Sequence, residues 1–199
     1  MIKKIALRVD ADNDIGLGHL IRIKGYISRN SNSYKKFILI TASSKKIIAE
    51  NFKISKVKIY YLNKNSINNF KNIYKILKYE NCNLLLSDIS YRKNLIKKNF
   101  FEKYNYFFKK KNIITVSFDD PRQYICSDIS IVPYPVKLNV LKKNKKSKLL
   151  KGIKYICFNK DIKISKKKIK KNPKNILIAL SGNNNKNLSI IIYKKILLL

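Results

Sequence analysis

The chain is poor in histidine, cysteine and acidic residues, and each shortage excludes a class of protein. A single histidine cannot build a histidine-based metal site unless carboxylates converge on it, and the sequence has no such spacing, so we expect no metal. The three cysteines Cys82, Cys126 and Cys157 form an odd, widely spaced set, which predicts reduced thiols in a cytosol rather than disulfides or a zinc site.

Long apolar runs are also missing. No run approaches the ~20 apolar residues that a membrane-spanning helix needs. The N-terminal stretch lacks the apolar segment of a signal peptide. We therefore expect a cytoplasmic protein without a transmembrane segment.

Acidic residues are few against a large excess of basic ones. The chain has 45 Lys and Arg against 11 Asp and Glu, a formal net charge of +34 that invites a nucleic-acid interpretation. Only five of the basic residues are arginine, the residue whose planar fork reads bases. Lysine is spread through strands, helices and loops alike, as an AT-rich genome produces. We expect a solvated lysine surface and no specific nucleic-acid partner.

Short apolar runs alternate along the chain with longer segments of mixed polarity. The hydrophobic content of 45% is sufficient to bury a core. Strands are predicted at residues 3–9, 36–41, 57–62, 83–88, 112–120 and 128–133, and helices at about 18–30, 44–51, 66–80 and 93–108. This alternation predicts an α/β fold, a Rossmann-like doubly wound parallel sheet, in a domain over residues 1–133.

The rest of the chain has a different pattern. Residues 134–172 are rich in lysine around one candidate strand at 154–158, and we interpret them as an interdomain crossover. Residues 173–199 contain a strand at 175–180, a glycine loop and a helix from about 187, which predict the first βα unit of a second, incomplete nucleotide-binding domain. A lone βα unit cannot bury its own faces, so we expect a fragment or a shortened gene product.

The segment from Arg8 to Arg22 is the richest in chemistry. It follows the first strand and opens the first helix, the place where open α/β sheets bind ligands. Gly16 and Gly18 let a ligand approach the backbone, and His19 lies in the first helical turn, where the local field disfavours imidazolium. A neutral imidazole can act as a general base. The alternative, a tight turn with His19 as a helix cap, stays open at this level.

Other candidate residues follow later strands. Asp88 ends one predicted strand, and Asp119 and Asp120 end another, so all three face the same edge of the sheet as the first loop. Helix or turn capping explains each of them equally well. Residues 181–185 (SGNNN) either present backbone N–H groups to a phosphate or form an asparagine-rich turn.

These residues together resemble a known family, the UDP-2,4-diacetamido-2,4,6-trideoxy-β-L-altropyranose hydrolases of pseudaminic acid biosynthesis. The family's opening pattern R-x-D-x-x-x-x-I-G-x-G-H-x-x-R is present without a gap from Arg8 to Arg22. Supporting matches are Leu84–Asp88, Ser117–Asp120, and the pair Cys126 and Asp128. The resemblance covers nearly all of this chain but about two-thirds of a family member. It implies a GT-B-type enzyme with the active site between two Rossmann-like domains.

The resemblance also implies a reaction and its residues. The reaction is hydrolysis at the anomeric carbon of a UDP-sugar, a small-molecule substrate, with release of UDP, no cofactor and His19 as the catalytic residue. Substrate binding is implied for Arg8, Asp10, Gly16, Gly18, Arg22, Asp88, Asp119 and Asp120, and nucleotide binding for Ser181, Gly182 and Asn183.

Two other functions remain open from the sequence. The same architecture serves glycosyltransferases that use a UDP-sugar donor and an acceptor other than water. The chain could also be an inactive, truncated copy without a nucleotide site.

Overall fold

A computed structural model provides the description of the fold. The residues that it describes are 4–12, 15–32, 36–54, 56–63, 70–89, 100–118, 127–133, 147–157 and 186–196.

Strands and helices alternate through most of the described chain. The strands are β1 (Lys4–Val9), β2 (Lys36–Thr41), β3 (Val57–Tyr61), β4 (Leu84–Asp88), β5 (Ile114–Phe118), β6 (Ile129–Val132) and β7 (Lys148–Lys151). The helices are α1 (Gly18–Asn30), α2 (Lys45–Asn51), α3 (Phe70–Tyr79), α4 (Phe100–Lys109) and α5 (Lys186–Ile196).

The seven strands form one sheet in the order β3-β2-β1-β4-β5-β6-β7, and every pairing is parallel. The chain adds strands outward from β1 to one edge and then returns to β4 to build the other side. This order is that of a doubly wound Rossmann-like sheet, so the predicted fold class is confirmed. The predicted strand at 175–180 lies outside the described residues.

Both faces of the central strands are buried, which explains their continuous apolar runs. On one face, Leu20, Ile23 and Ile27 of α1 pack against the odd-numbered residues of β1. On the other face, α3 and α4 cover the sheet with an aromatic cluster that includes Phe100 and Tyr104. The periodicity of 3.6 in the helices and of 2 in the strands therefore divides the core into two layers.

The prediction of a strand at 154–158 is wrong. Residues Ile153–Tyr155 form a single 3-10 turn, and the strand lies earlier, at β7. β7 adds to the edge of β6 in parallel, with Ser130 opposite Leu149. Gly152 then ends the strand because its φ of 106° departs from extended geometry. The sheet thus includes a strand from the segment interpreted as a crossover.

A buried carboxylate joins two neighbouring strands, β2 and β3, near the amino-terminal end of the sheet. Glu80 follows α3 and is 4% exposed. Its oxygens lie 2.8 Å from the Lys36 ammonium and 2.7 Å from the Lys58 ammonium, and one accepts a hydrogen bond from Tyr60. Burial would raise the pKa of Glu80, but the hydrogen bonds from Lys36, Lys58 and Tyr60 outweigh it and lower the pKa from 4.5 to about 2.

The lowered pKa of Glu80 predicts an acid-dependent loss of stability. Because the folded-state pKa lies below the unfolded value, the stabilisation is fully present above about pH 4.5 and is lost as the pH falls towards about 2. Glu80→Gln should lower the free energy of unfolding at neutral pH by about 1–2 kcal/mol, since Lys36 and Lys58 are partly solvated. Urea unfolding across this pH range measures the effect.

Glu50→Gln is the matched control because Glu50 is an exposed glutamate on α2. It should keep the acid dependence of the unmodified protein. If Glu80→Gln lost stability in acid as strongly as the unmodified protein, Glu80 would not be the cause of that loss.

Candidate active site

The candidate site lies where the strand order reverses, between the neighbouring strands β1 and β4. In the register of this pair, Val9 lies opposite Asp88, so both strands end at the same carboxyl edge. His19 is the second residue of α1, which begins above that edge. Ligands of open α/β sheets bind at such a reversal, because the loops there diverge to opposite faces.

The loop between β1 and α1 is shaped by Asp12 and Gly16. The Asp12 carboxylate accepts a hydrogen bond from the Ile15 N–H, and the Asp12 carbonyl accepts one of 2.8 Å from the Gly16 N–H. Gly16 has a φ of +80°, in the left-handed region that side chains with a Cβ rarely adopt. Leu17 is the N-cap residue of α1, and no side chain among the described residues makes a capping hydrogen bond there. The first N–H groups of α1 therefore face the loop.

Replacing each of the two glycines of the motif by alanine should affect stability differently. Gly16→Ala should cost about 1 kcal/mol of stability because alanine strains at positive φ. Gly18→Ala is the matched variant, since Gly18 is exposed and helical and a Cβ there meets no described atom within 4 Å. It should leave the unfolding midpoint nearly unchanged, and weaker ligand binding by this variant would support close approach of a ligand to Gly18. Equal destabilisation by both variants would contradict this distinction.

His19, Asp88 and Arg22 form a compact hydrogen-bonded group. His19 Nδ1 lies 2.7 Å from Asp88 Oδ1. Arg22 Nε donates to Asp88 Oδ2 at 2.8 Å, and Arg22 Nη2 donates to Oδ1 at 3.0 Å, which is a two-pronged guanidinium–carboxylate fork. Arg22 Nη2 also lies 3.0 Å from His19 Nδ1. The side chain of Asp88 is 0% exposed, whereas those of His19 and Arg22 are 22% and 18% exposed.

Arg22 has two further neighbours in the fold. Its guanidinium carbon lies 4.9 Å from the centre of the Phe118 ring, a cation–π contact at the carboxyl end of β5. Cys157, after the 3-10 turn, packs with the same face of the sheet as α1. Burial raises the pKa of the Cys157 thiol, and the positive charges of Arg22 and Arg29 oppose this rise. The chain that follows β7 therefore returns to the vicinity of α1.

Arg8 and Asp10 lie on the opposite face of the sheet from His19. Arg8 is 0% exposed and donates from Nη1 to an Asp10 oxygen, and the same oxygen accepts a 2.6 Å hydrogen bond from the Ala42 N–H. Among the described residues, Arg8 Nε and Nη2 have no hydrogen-bond partner. Through Asp10, the Arg8–Asp10 pair connects the end of β1 to the segment after β2.

A pair of hydroxyls lies on the same face as Arg8. Ser87 Oγ and the Tyr104 hydroxyl are 2.9 Å apart and buried between β4 and α4. Burial, partly offset by the hydrogen bond with Ser87, raises the pKa of Tyr104 to about 12. Sequence reasoning missed this pair and the Phe118 contact. Ser87 and Phe118 themselves lie in segments that the family resemblance matches, and each immediately precedes a predicted site residue.

Five predicted site residues lie outside the described residues. They are Asp119, Asp120, Ser181, Gly182 and Asn183. Of the other predicted site residues, the structure brings His19, Arg22 and Asp88 into contact with one another and Arg8 into contact with Asp10. Gly16 and Gly18 flank the start of α1.

The described part of the chain has neither a metal-binding cluster nor a helix that could span a membrane. No group of three or more His, Cys, Asp and Glu side chains there is arranged to hold a metal ion. None of its helices combines the length and the apolar character that crossing a membrane requires.

No known family profile matches the chain, and no curated protein matches it. Among solved structures, it is similar to a glycosyltransferase from Rickettsia africae ESF-5, with 16% identity, a TM-score of 0.49, and coverage of 76% of this chain and 43% of that chain. It is also similar to an S. aureus MnaA–UDP co-structure, with 10% identity, a TM-score of 0.45, and coverage of 66% and 38%. The chain thus spans less than half the length of either protein. These low similarities assign no chemistry to it.

Proposed function

We propose that the chain contains the N-terminal, histidine-bearing part of a nucleotide-sugar hydrolase. The substrate is UDP-2,4-diacetamido-2,4,6-trideoxy-β-L-altropyranose, in pseudaminic acid biosynthesis, and the bond cleaved joins its anomeric carbon to UDP. The observation that supports this most is the placement of His19. Its imidazole is hydrogen-bonded to a buried carboxylate at the strand-order reversal, and the same ring remains partly exposed.

The reaction needs a nucleophilic water and a leaving group. In the proposed step, the His19 imidazole accepts a proton from water as the water oxygen bonds to the anomeric carbon. The bond between that carbon and the diphosphate oxygen breaks, and UDP departs with the electron pair. UDP is a good leaving group, so the step depends more on base assistance than on acid catalysis, and such assistance is worth roughly 10²–10⁴-fold in rate.

The loop that precedes α1 suits the approach of a sugar. Gly18 leaves open space where a Cβ would stand, and the first N–H groups of α1 face the same loop. Partial positive charge at a helix start favours the oxygens of a diphosphate or of a departing anion. In this proposal, Asp119 and Asp120 bind the sugar, and Ser181, Gly182 and Asn183 bind the nucleotide.

An isotope experiment tests the proposal. The protein is incubated with the diacetamido sugar nucleotide in water enriched in oxygen-18, and both products are analysed by mass spectrometry. Hydrolysis with C–O cleavage should release UDP without label and a free sugar with one labelled oxygen. Label in UDP would show cleavage at phosphorus and contradict the mechanism, and an absence of turnover would contradict the function.

The glycosyltransferase alternative predicts a different response of UDP release to an added acceptor. UDP release would then require an added acceptor and would be negligible in water alone. The same incubation with and without candidate acceptors separates the two activities, because hydrolysis is insensitive to the acceptor.

A further inference from the structure

We propose that Asp88 and Arg22 act as one positioning unit, which holds His19 in the tautomer with hydrogen on Nδ1 and leaves the lone pair on Nε2 for the water. In this assignment Asp88 acts through His19 and does not bind the sugar, whereas the family resemblance implies substrate binding by Asp88. The inference rests on the proposed function for its catalytic meaning. The tautomer itself depends only on the geometry of the three side chains.

The hydrogen bonds around Asp88 fix its role as an acceptor. Both Asp88 oxygens accept hydrogen bonds from the fork of Arg22, at 2.8 and 3.0 Å. A carboxylate held in this way is an acceptor at both oxygens and has no proton to give. Since Asp88 is 0% exposed, water does not replace these donors.

The contact between His19 and Asp88 has one possible donor. The 2.7 Å separation of His19 Nδ1 and Asp88 Oδ1 is a hydrogen-bond distance, and Oδ1 cannot be the donor. The hydrogen must therefore reside on Nδ1. If Nδ1 instead accepted from Arg22 Nη2, its lone pair would face a carboxylate lone pair at 2.7 Å inside the protein, an arrangement with a high electrostatic cost.

The short distance between Arg22 and His19 follows from the same arrangement. Arg22 Nη2 and His19 Nδ1 are 3.0 Å apart because both are donors that converge on the same Asp88 oxygen. The two residues are three apart on α1 and so lie on the same face of the helix. Contact with Phe118 orients the guanidinium in turn. The unit is thus assembled from α1, β4 and β5, and only His19 in it has the geometry to serve as base.

The single histidine of the chain makes the tautomer directly measurable. In nitrogen-15 spectra at about pH 8, where an ordinary imidazole is neutral, all imidazole signals belong to His19. We expect a protonated Nδ1 and an unprotonated Nε2. Asp88→Asn should invert this pattern, since the amide can donate a hydrogen bond to Nδ1. A protonated Nε2 in the unmodified protein would overturn the proposal without any variant.

Asp128→Asn is the matched control for the variant. Asp128 accepts hydrogen bonds of 2.9 Å from the N–H and the hydroxyl of Thr115, so it is a structural carboxylate of the same sheet. Its replacement should lower stability and leave the His19 tautomer unchanged. If Asp88→Asn also left the tautomer unchanged while folded, Asp88 would not be a positioning residue.

Kinetics then distinguish positioning from substrate binding. Asp88→Asn should lower kcat on the order of 10²–10⁴-fold, as loss of the orienting carboxylate does in triad enzymes, with KM within about threefold of its original value. Arg22→Lys keeps the charge but loses the fork, so its spectrum should show a mixture of tautomers. A raised KM with an unchanged kcat would overturn the proposal. If the unmodified protein turns over no sugar nucleotide, the proposed function fails, and the spectra still decide the tautomer.

Discussion

His19→Asn is expected to lower turnover of the UDP-sugar on the order of 10²–10⁴-fold, the usual contribution of a positioned general base. The domain should stay folded because the asparagine amide can donate to Asp88 Oδ1 in place of Nδ1–H, and because the His19 side chain is only partly buried. What is lost is the second nitrogen, which an amide cannot reproduce. The rate of UDP release, with circular dichroism as the test of folding, measures the effect.

Ile21→Ala is the control for this prediction. Ile21 lies two residues further along α1 and is 56% exposed, so its truncation should change neither turnover nor stability appreciably. Turnover by His19→Asn equal to that of the unmodified protein would exclude His19 as the base. The fold would then remain and the enzyme mechanism would need another residue.

Asp10→Asn is expected to cause the largest loss of stability, about 3–5 kcal/mol, the cost of leaving a buried charge without its partner. Arg8 is 0% exposed, and Asp10 is the carboxylate that pairs with it in the described structure. The asparagine can still accept the Ala42 N–H, so the loss reports mainly on the unpaired guanidinium. Urea denaturation gives the free energy of unfolding.

A double variant tests whether the uncompensated charge is the cause. Arg8→Met combined with Asp10→Leu removes both charges and keeps apolar volume, and it should recover most of the stability that Asp10→Asn loses. Similar destabilisation in the single and the double variant would contradict the unpaired guanidinium of Arg8 as the cause of the loss.

The sheet was predictable because its evidence is local. Apolar runs of strand length, separated by helical periodicity, predicted six of the seven strands that the structure describes, in nearly their observed positions. The seventh was missed because Lys148–Lys151 has lysine at both ends and two leucines between them, too weak a pattern to stand out in a lysine-rich chain. Its strand conformation comes from pairing with the edge of β6, which is a tertiary contact.

The site was predictable only in part. The motif identified Arg8, Asp10 and His19 together, but side chains alternate along a strand, so Arg8 and Asp10 share a face that α3 and α4 cover. His19 lies on the other side because α1 packs there. Neighbours in sequence are therefore separated by the sheet.

By itself the sequence determined the alternating strands and helices, the glycine turn and the position of the one histidine at the start of a helix. Only the tertiary structure decided that Asp88, 69 residues away, meets His19 at 2.7 Å. The reason is geometric. Chemistry between side chains depends on distances of a few ångströms, and the register of β1 with β4 and the packing of α1 set those distances.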